Sequence, residues 1–378
     1  MPAGERRSSR RAVSRRHRNP LWVPVTAATG AILIVIGLVL YFGGGDGGTA
    51  TRVEQSVGAD APDSATSAPP GPASASGTPR ASASPAAVSG CVSGKSIPAG
   101  SSQQSVRIGT DTRVYQLAVP AADARTRSLP LIFVFHAFGE NAAAVEGYAH
   151  LAELGAKSGY AVVRPDGVGG RWNFVRRAAA GPDDVAFVAA IVNDLTARMC
   201  LDARRVSATG LGDGADMAVT AACALPGVFA AVVPVASAVM PDSCSGPPPS
   251  LLAVNGTSDP VTPLEGGGVD RPAPFDGTQA QPLQGRLDRY AGFMGCGPPG
   301  PWVWDTSSIR RLVYTACPGG RDVGLLAVQG GGHVWPDPDA IPPKGAARAQ
   351  FSATQVVLAY FRGHPLPASV TGAPNPTG

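Results

Sequence analysis

Val206-Ser207-Ala208-Thr209-Gly210-Leu211-Gly212-Asp213-Gly214-Ala215 is the stretch that decides the fold, because it reads as a strand, a glycine-framed turn and the start of a helix. This local geometry presents a nucleophilic side chain at the carboxyl edge of a parallel sheet, and here the nucleophile position is Gly212. The other two members of a triad follow in a known chain order: Asp259 in residues 255–260 (NGTSDP), then His333 in residues 330–336 (GGGHVWP). The sequence predicts a catalytic scaffold without its attacking atom.

On both sides of this stretch, short apolar runs alternate with helical patterns over residues 91–364. This alternation predicts one α/β domain with a mostly parallel sheet and helices on both faces. Strands are predicted at 129–136, 160–164, 205–209, 229–235, 251–255 and 324–329. Helices are predicted at 141–157, 183–199, 215–225 and 346–361.

The N-terminal part of the chain differs in composition from this domain. Residues 1–20 hold seven arginines and one glutamate, a charge of +6 against +4 for the whole chain, so the rest of the chain sums to −2. The basic balance is therefore local and does not indicate nucleic-acid binding. Residues 21–42 carry no charge and are long enough to span a bilayer. The preceding arginines predict a single-pass signal anchor with a cytoplasmic N-terminus and an extracellular domain.

A cleaved signal peptide, which would yield a secreted protein, is the alternative interpretation of this segment. Gly48-Thr49-Ala50 would be a weak cleavage site for it. Residues 43–90 are rich in Gly, Ala, Ser and Pro, which predicts a disordered linker, and residues 365–378 predict a short disordered tail.

All six cysteines lie in the predicted outer domain. An even count in an oxidising compartment predicts three disulfides, although spacing alone leaves about 15 connectivities open. No CxxC pair or Cys/His cluster indicates a metal site, and we expect no metal or other cofactor.

Several motifs in sequence order resemble one enzyme family. They are HAFGEN at 136–141, PDG at 165–167 with Trp172-Asn173, DDVAF at 183–187, DARRV at 202–206 with TGL at 209–211, and the segments of Asp259 and His333. Over most of residues 91–364 the chain resembles the secreted esterases grouped as polyhydroxybutyrate depolymerases, feruloyl esterases and LpqC-type proteins. This resemblance implies an α/β-hydrolase fold and hydrolysis of carboxylic esters.

The resemblance also implies a role for individual residues. In an intact site a serine attacks the ester carbonyl, His333 takes its proton, and Asp259 holds the imidazole. The backbone N–H groups of Asp213 and of Ala137 or Phe138 would form the oxyanion hole. Two tryptophans, Trp172 and Trp335, and also Tyr290, would line a substrate pocket or pack in the core. The implied disulfides are Cys91–Cys200, Cys223–Cys244 and Cys296–Cys317.

This chain departs from the family pattern in two motifs. The family elbow is GLSNG and this chain has GLGDG, so Gly212 replaces the serine. The oxyanion loop has Ala137 in place of glycine and Glu140 in place of a small residue. Three substitutes for the serine remain open: Asp213 after a one-residue slip of the turn, Ser237 after a later strand, or water activated by His333.

Two functional hypotheses of different class follow. The first is a membrane-tethered relative of the carboxylic-ester hydrolases, inactive or weakly active because position 212 is glycine. The second is a non-catalytic binding or sensing module that uses the ester-binding cleft. The first hypothesis expects a small-molecule or polymeric ester as the ligand, and the second expects an extracytoplasmic ligand or cell-wall component. Both expect the membrane as a further partner and no nucleic acid. The sequence gives no oligomeric state.

Overall fold

A computed structural model of the protein describes residues 90–121, 127–175, 181–269, 278–339 and 351–367. The predicted arginine-rich segment, anchor, nearly all of the linker and most of the tail lie outside these residues and stay predictions. Among the residues described, no helix is long and apolar enough to cross a membrane.

A ten-stranded mixed sheet forms the centre of the domain, in the order β1-β2-β4-β3-β5-β6-β7-β10-β9-β8. Its strands are β1 (Gly100–Ile108), β2 (Asp111–Val119), β3 (Leu129–Phe135), β4 (Ala161–Pro165), β5 (Leu201–Leu211), β6 (Ala231–Val235), β7 (Ser250–Gly256), β8 (Val303–Thr306), β9 (Ile309–Val313) and β10 (Val323–Val328). The six strands from β4 to β10 in this order pair in parallel. Antiparallel pairs flank them on both sides. The prediction of a mostly parallel α/β sheet is confirmed.

Helices pack on both faces of the sheet, each over its own apolar core. They are α1 (Gly90–Ser93), α2 (Ala142–Ala149), α3 (Leu151–Lys157), α4 (Asp184–Arg198), α5 (Asp213–Ala224), α6 (Leu283–Met294) and α7 (Ala353–Gly363). The core under α4, α5 and α6 contains Phe187, Met217 and Leu287. The opposite core, under α2, α3 and α7, contains Val145, Leu151 and Val357. Each central strand is therefore covered on both sides.

Burial explains why the central strands are almost continuously apolar. Every residue of β3, β6 and β7 is buried, as expected for parallel strands covered by helices on both faces. The edge strand β1, whose sequence is GSSQQSVRI, instead alternates between exposed and half-buried positions. Such weak patterning explains why the sequence does not predict β1, and the structure also contains β2, β8 and β9 beyond the predicted strands.

The single helix predicted at 141–157 is wrong, because the structure contains two helices that meet at His150. His150 has a positive φ of 50° and ends α2. The Glu146 carboxylate then accepts backbone N–H bonds from Ala152 and Glu153 in the first turn of α3. A side-chain cap that the apolar pattern does not register thus restarts the helix.

The last predicted helix, 346–361, begins later than expected. Residues 346–350 lie outside the described part, and α7 begins at Ala353, with the Ser352 hydroxyl accepting the Gln355 N–H at 3.4 Å. The disulfide pairing predicted from the family resemblance is confirmed: the structure joins Cys91 to Cys200, Cys223 to Cys244 and Cys296 to Cys317.

Candidate active site

Three residues singled out from the sequence meet at the carboxyl edge of the parallel strands. Gly212 follows β5, Asp259 follows β7 and His333 follows β10. Connections at this edge form the usual ligand crevice of parallel α/β sheets. The topology therefore collects residues that are up to 121 positions apart in sequence.

The turn at Gly212 has the backbone geometry of a strand-to-helix elbow. Its φ of 56° and ψ of −118° lie where a glycine fits most easily, and its N–H donates to Val235 O at 3.0 Å. A Cβ at Gly210 would lie 2.5 Å from the backbone of Gly214, and one at Gly214 would lie 2.2 Å from Phe135 O. The two flanking glycines are therefore required by close packing of α5 against β3.

Asp259 is a fully buried carboxylate that accepts four hydrogen bonds. Oδ1 accepts the backbone N–H groups of Val261 and Thr262, both at 2.8 Å. Oδ2 faces His333 Nδ1 at 2.9 Å and accepts the Thr262 hydroxyl at 2.9 Å, whose one proton is shared with Ala236 O at 2.6 Å. Burial raises the pKa of Asp259, but the hydrogen bonds from His333, Thr262 and Val261 outweigh it, so the net pKa lies below the usual value.

Direct backbone contact holds the loops of Asp259 and His333 together. Ser258 N–H donates to Gly331 O at 2.9 Å, and Gly330 N–H donates to the Thr257 hydroxyl at 2.9 Å. A Cβ at Gly256 would lie 2.1 Å from Gly331 O. Glycine at residues 256 and 331 lets the two loops approach each other closely, which brings the imidazole of His333 to the carboxylate of Asp259.

His333 has its second ring nitrogen turned toward the elbow. A Cβ built on Gly212 would lie 3.0 Å from Nε2. Because Nδ1 faces the ionised Asp259, the proton is assigned to Nδ1, which leaves the Nε2 lone pair as a base. The His333 side chain is 25 % exposed, so the base is open to solvent. The geometry is that of a nucleophile–histidine–aspartate triad lacking only the nucleophilic oxygen.

His136, which directly follows β3, holds the candidate oxyanion loop in place through hydrogen bonds of its ring. It is fully buried; its Nε2 accepts the Gly167 N–H at 2.9 Å and its Nδ1 lies 2.8 Å from Ala137 O. Burial lowers the pKa of His136, so the ring is neutral at neutral pH. The neutral ring ties the oxyanion loop to the turn after β4.

Glu140 organises the same loop from within. Its Oε2 accepts the Ala137 N–H at 3.1 Å and the Tyr148 hydroxyl at 2.8 Å. The Phe138 N–H has no hydrogen-bond partner among the described residues. Two N–H groups are predicted for this side of the oxyanion hole. The Ala137 N–H is hydrogen-bonded to Glu140, and the Phe138 N–H remains available as a donor.

Aromatic residues predicted for the cleft lie in different environments. Trp172 is almost fully buried and donates to His136 O at 2.9 Å, and Trp335 is equally buried and donates to the Thr354 hydroxyl at 3.0 Å. Tyr290 is completely buried. All three pack within the protein, and the substrate-binding role expected for the two tryptophans stays a prediction.

The alternative nucleophiles occupy less suitable positions. Asp213 is the first residue of α5 and is half-buried. Ser237 follows β6 on the same sheet edge, but its hydroxyl is buried and has no hydrogen-bond partner among the residues described. The histidine base faces Gly212, so the base serves the expected nucleophile position rather than Ser237.

Sequence reasoning missed three contributors to the site: Thr262, the central role of Glu140, and Arg171. Thr262 follows Asp259 by three residues, a spacing typical of side-chain to backbone turns, so a signal was present. The Arg171 guanidinium lies 4.6 Å from the centre of the exposed Phe138 ring, a contact that no local pattern predicts. Within the described ranges, no group of three or more side chains is placed to hold a metal ion.

Comparison with known proteins identifies a family and several relatives of this chain. The family model described as "Esterase PHB depolymerase" matches residues 113–291. The chain is 30% identical over 227 residues to a probable feruloyl esterase C of Aspergillus flavus, covering 57% of this chain and 78% of the relative. It is 27% identical over 260 residues to feruloyl esterase D of Neurospora crassa, covering 65% and 81%.

One further relative is matched over a smaller share of its own length. Feruloyl esterase B of Piromyces equi is 28% identical over 229 residues, and the chain spans 41% of that relative. Among solved structures, an acetyl xylan esterase from Aspergillus awamori aligns with a TM-score of 0.47 at 16% identity, covering 69% of this chain and 99% of that one. The family model and the matches to feruloyl esterases establish that this chain belongs to the esterase PHB depolymerase family.

Proposed function

We propose that this protein binds a carboxylic ester at the edge of its sheet and hydrolyses it weakly or not at all. The observation that carries the proposal is the position of His333, whose Nδ1 lies 2.9 Å from Asp259 and whose Nε2 lies 3.0 Å from where a Cβ of residue 212 would stand. This is an acid–base pair aimed at an empty nucleophile position. Without an Oγ at Gly212, the elbow cannot form an acyl-enzyme.

The proposed ligand carries an apolar or aromatic group next to the ester. Phe138 is 41 % exposed, and Val168 on the neighbouring loop is 51 % exposed. A hydrogen bond of 2.8 Å from Gly139 N–H to Gly170 O holds these two loops together. Exposed apolar side chains beside a cleft are typical of ligand-binding surfaces, and the names of the feruloyl esterase relatives support an aromatic or hydroxyacyl ester.

Restoring the missing oxygen tests this proposal. Gly212→Ser is expected to create or strongly raise hydrolysis of short-chain nitrophenyl esters, and adding His333→Ala should abolish the gain. The imidazole has to shift by a few tenths of an ångström, because the serine Cβ would stand 3.0 Å from Nε2. Ser237→Ala in the Gly212→Ser background is the matched control and should leave the gain intact.

A folded Gly212→Ser variant without activity would contradict preserved triad geometry. That outcome favours the second candidate function, a binding or sensing module that keeps only the cleft. The specific observation behind this second candidate is glycine at residue 212. Thermal-shift measurements on the unmodified protein with panels of esters and carbohydrates separate the two, since a binding module is stabilised by its ligand without consuming it.

We also propose that the domain is held outside the cell by the apolar segment 21–42, with residues 43–90 as a spacer. The charge-free length of the segment and the arginines before it support this orientation. Protease added to intact cells should release a soluble fragment that begins within the spacer. Finding only soluble mature protein in the medium would instead support signal-peptide cleavage.

A further inference from the structure

A side chain at Gly212 would meet different neighbours from a side chain at either of its flanking glycines. A Cβ at Gly212 would have His333 Nε2 at 3.0 Å, His333 Cε1 at 3.6 Å and Ala137 Cβ at 4.0 Å as its three nearest atoms. All three are side-chain atoms. At Gly210 and Gly214, by contrast, a Cβ would meet backbone atoms at 2.5 and 2.2 Å. Among these three glycines, only Gly212 faces the imidazole of His333 rather than backbone atoms.

The base beside Gly212 has one nitrogen committed and one available. His333 Nδ1 faces Asp259 at 2.9 Å. Among the described residues, Nε2 has no hydrogen-bond partner, and the side chain is 25 % exposed. A small polar molecule from solvent can therefore reach Nε2 and form a hydrogen bond with it. In a site that has the serine, the serine oxygen would form this hydrogen bond.

We propose that water binds to His333 Nε2 beside Gly212 and attacks the ester carbonyl directly, in one displacement without an acyl-enzyme. The water oxygen forms the new bond to the carbonyl carbon, and its proton passes to His333 Nε2. The resulting oxyanion collapses, the carbon–oxygen bond to the alcohol breaks, and His333 returns the proton to the departing alkoxide. Acid and alcohol are the products, and no oxidant or second substrate is needed.

Two further features fit a direct attack by water. The N–H of Phe138, on the loop that adjoins Gly212 through Ala137, remains available to the oxyanion. Asp259 keeps the imidazole in the tautomer that accepts a proton at Nε2. This inference rests on the proposed ester-binding function, because it assigns the chemistry of that same cleft.

The test uses the full-length protein in detergent with nitrophenyl acetate as substrate. We expect slow hydrolysis with no initial burst and no acyl adduct in intact-mass spectra. His333→Ala should lower the rate at least about 100-fold, the usual lower contribution of general base catalysis. Gly212→Ala, whose methyl group would stand 3.0 Å from Nε2 and hinder the approach of water, should also lower it, whereas Ser237→Ala should leave it unchanged. Gly212→Ser should show both a burst and an adduct.

Several results would overturn the inference. An acyl adduct on the unmodified protein, or hydrolysis that survives Gly212→Ala or His333→Ala, would place the nucleophile elsewhere. If Gly212→Ala does not fold, the adduct measurement on the unmodified protein decides the question. Ester binding without any His333-dependent hydrolysis would refute the water mechanism and leave the proposed ester binding standing. Absence of ester binding together with an inactive Gly212→Ser variant would refute the proposed function itself.

Discussion

The elbow and the Asp259–His333 pair lie at the same edge of the sheet but retain different parts of a catalytic site. The elbow keeps its backbone geometry, with φ of 56° at Gly212, and has no functional side chain. The pair keeps its side chains, with Asp259 accepting four hydrogen bonds in full burial. Close packing of Gly210 and Gly214 holds the elbow on both sides of residue 212. The backbone geometry of the elbow is therefore present in this site without the side chain that carries the chemistry.

This comparison leaves a question about Asp259 itself. Three of its four hydrogen bonds come from Val261 and Thr262, within its own turn. A carboxylate in such a turn has a structural role even without a histidine, since buried charges are retained where hydrogen bonds satisfy them. Whether the fourth bond, to His333, also serves catalysis is decided by substitution.

The largest expected effect is that of Asp259→Asn in the Gly212→Ser background. An amide cannot stabilise the imidazolium or hold the productive tautomer, so kcat should fall by about 10⁴-fold. The measurement is the steady-state rate on a nitrophenyl ester, with the melting temperature as a check on folding. A fall of less than about tenfold in a folded variant would show that Asp259 stabilises its turn and does not contribute to catalysis. The difference drawn between the elbow and the Asp259–His333 pair would then be wrong.

A smaller effect is expected at the oxyanion loop, where Glu140 joins Ala137 N–H and the Tyr148 hydroxyl. In the Gly212→Ser background, Glu140→Ala should lower kcat by about 10²-fold with little change in KM, because the loop that presents Phe138 N–H loses its internal acceptor. Glu140→Gln keeps an accepting oxygen and should recover part of the rate. Glu153→Ala, at an exposed ion pair on α3, is the matched control.

An unchanged kcat in Glu140→Ala would mean that the loop is held by His136 and the turn after β4 alone. A higher kcat would mean that the carboxylate opposes the oxyanion instead of positioning its donor. The first result would group the oxyanion loop with the elbow as a part fixed by packing. The second would show that Glu140 acts on the oxyanion through its charge.

Much of this molecule could be predicted from its sequence, for identifiable reasons. The buried parallel strands have continuous apolar runs, such as residues 129–135 in β3, and the chain order of Gly212, Asp259 and His333 follows a known motif. Family resemblance supplied the disulfide pairs, which spacing alone leaves open.

The unpredicted features depend on contacts between distant or weakly patterned segments. The break at His150 arises because Glu146 caps the second helix. The edge strand β1 has little apolar alternation, because every one of its residues is exposed or half-buried. The position of Glu140 toward Ala137 and Tyr148 depends on the path of the loop. Local patterns record neither the path of a loop nor which donors it leaves free.

The smallest expected effect is the loss of folding stability at low pH that protonation of His136 causes. It tests whether the oxyanion loop is held by packing or is maintained for chemistry. Burial holds the pKa of His136 below its usual value, and its Nε2 must stay unprotonated to accept the Gly167 N–H. Because the unfolded chain binds this proton more readily, stability is full above a pH of about 6.5 and falls as the pH drops below it, by at most about 1.4 kcal/mol per pH unit. Urea unfolding at pH 7.5 and 5.5 should show this loss, and His136→Asn should flatten it while lowering stability at the higher pH. His150→Ala, which changes an exposed histidine, is the control and should keep the loss.

A pH-independent unfolding midpoint in the unmodified protein would show that His136 does not tie the oxyanion loop to the fold. The loop would then belong with Asp259 and His333 as a part maintained for chemistry.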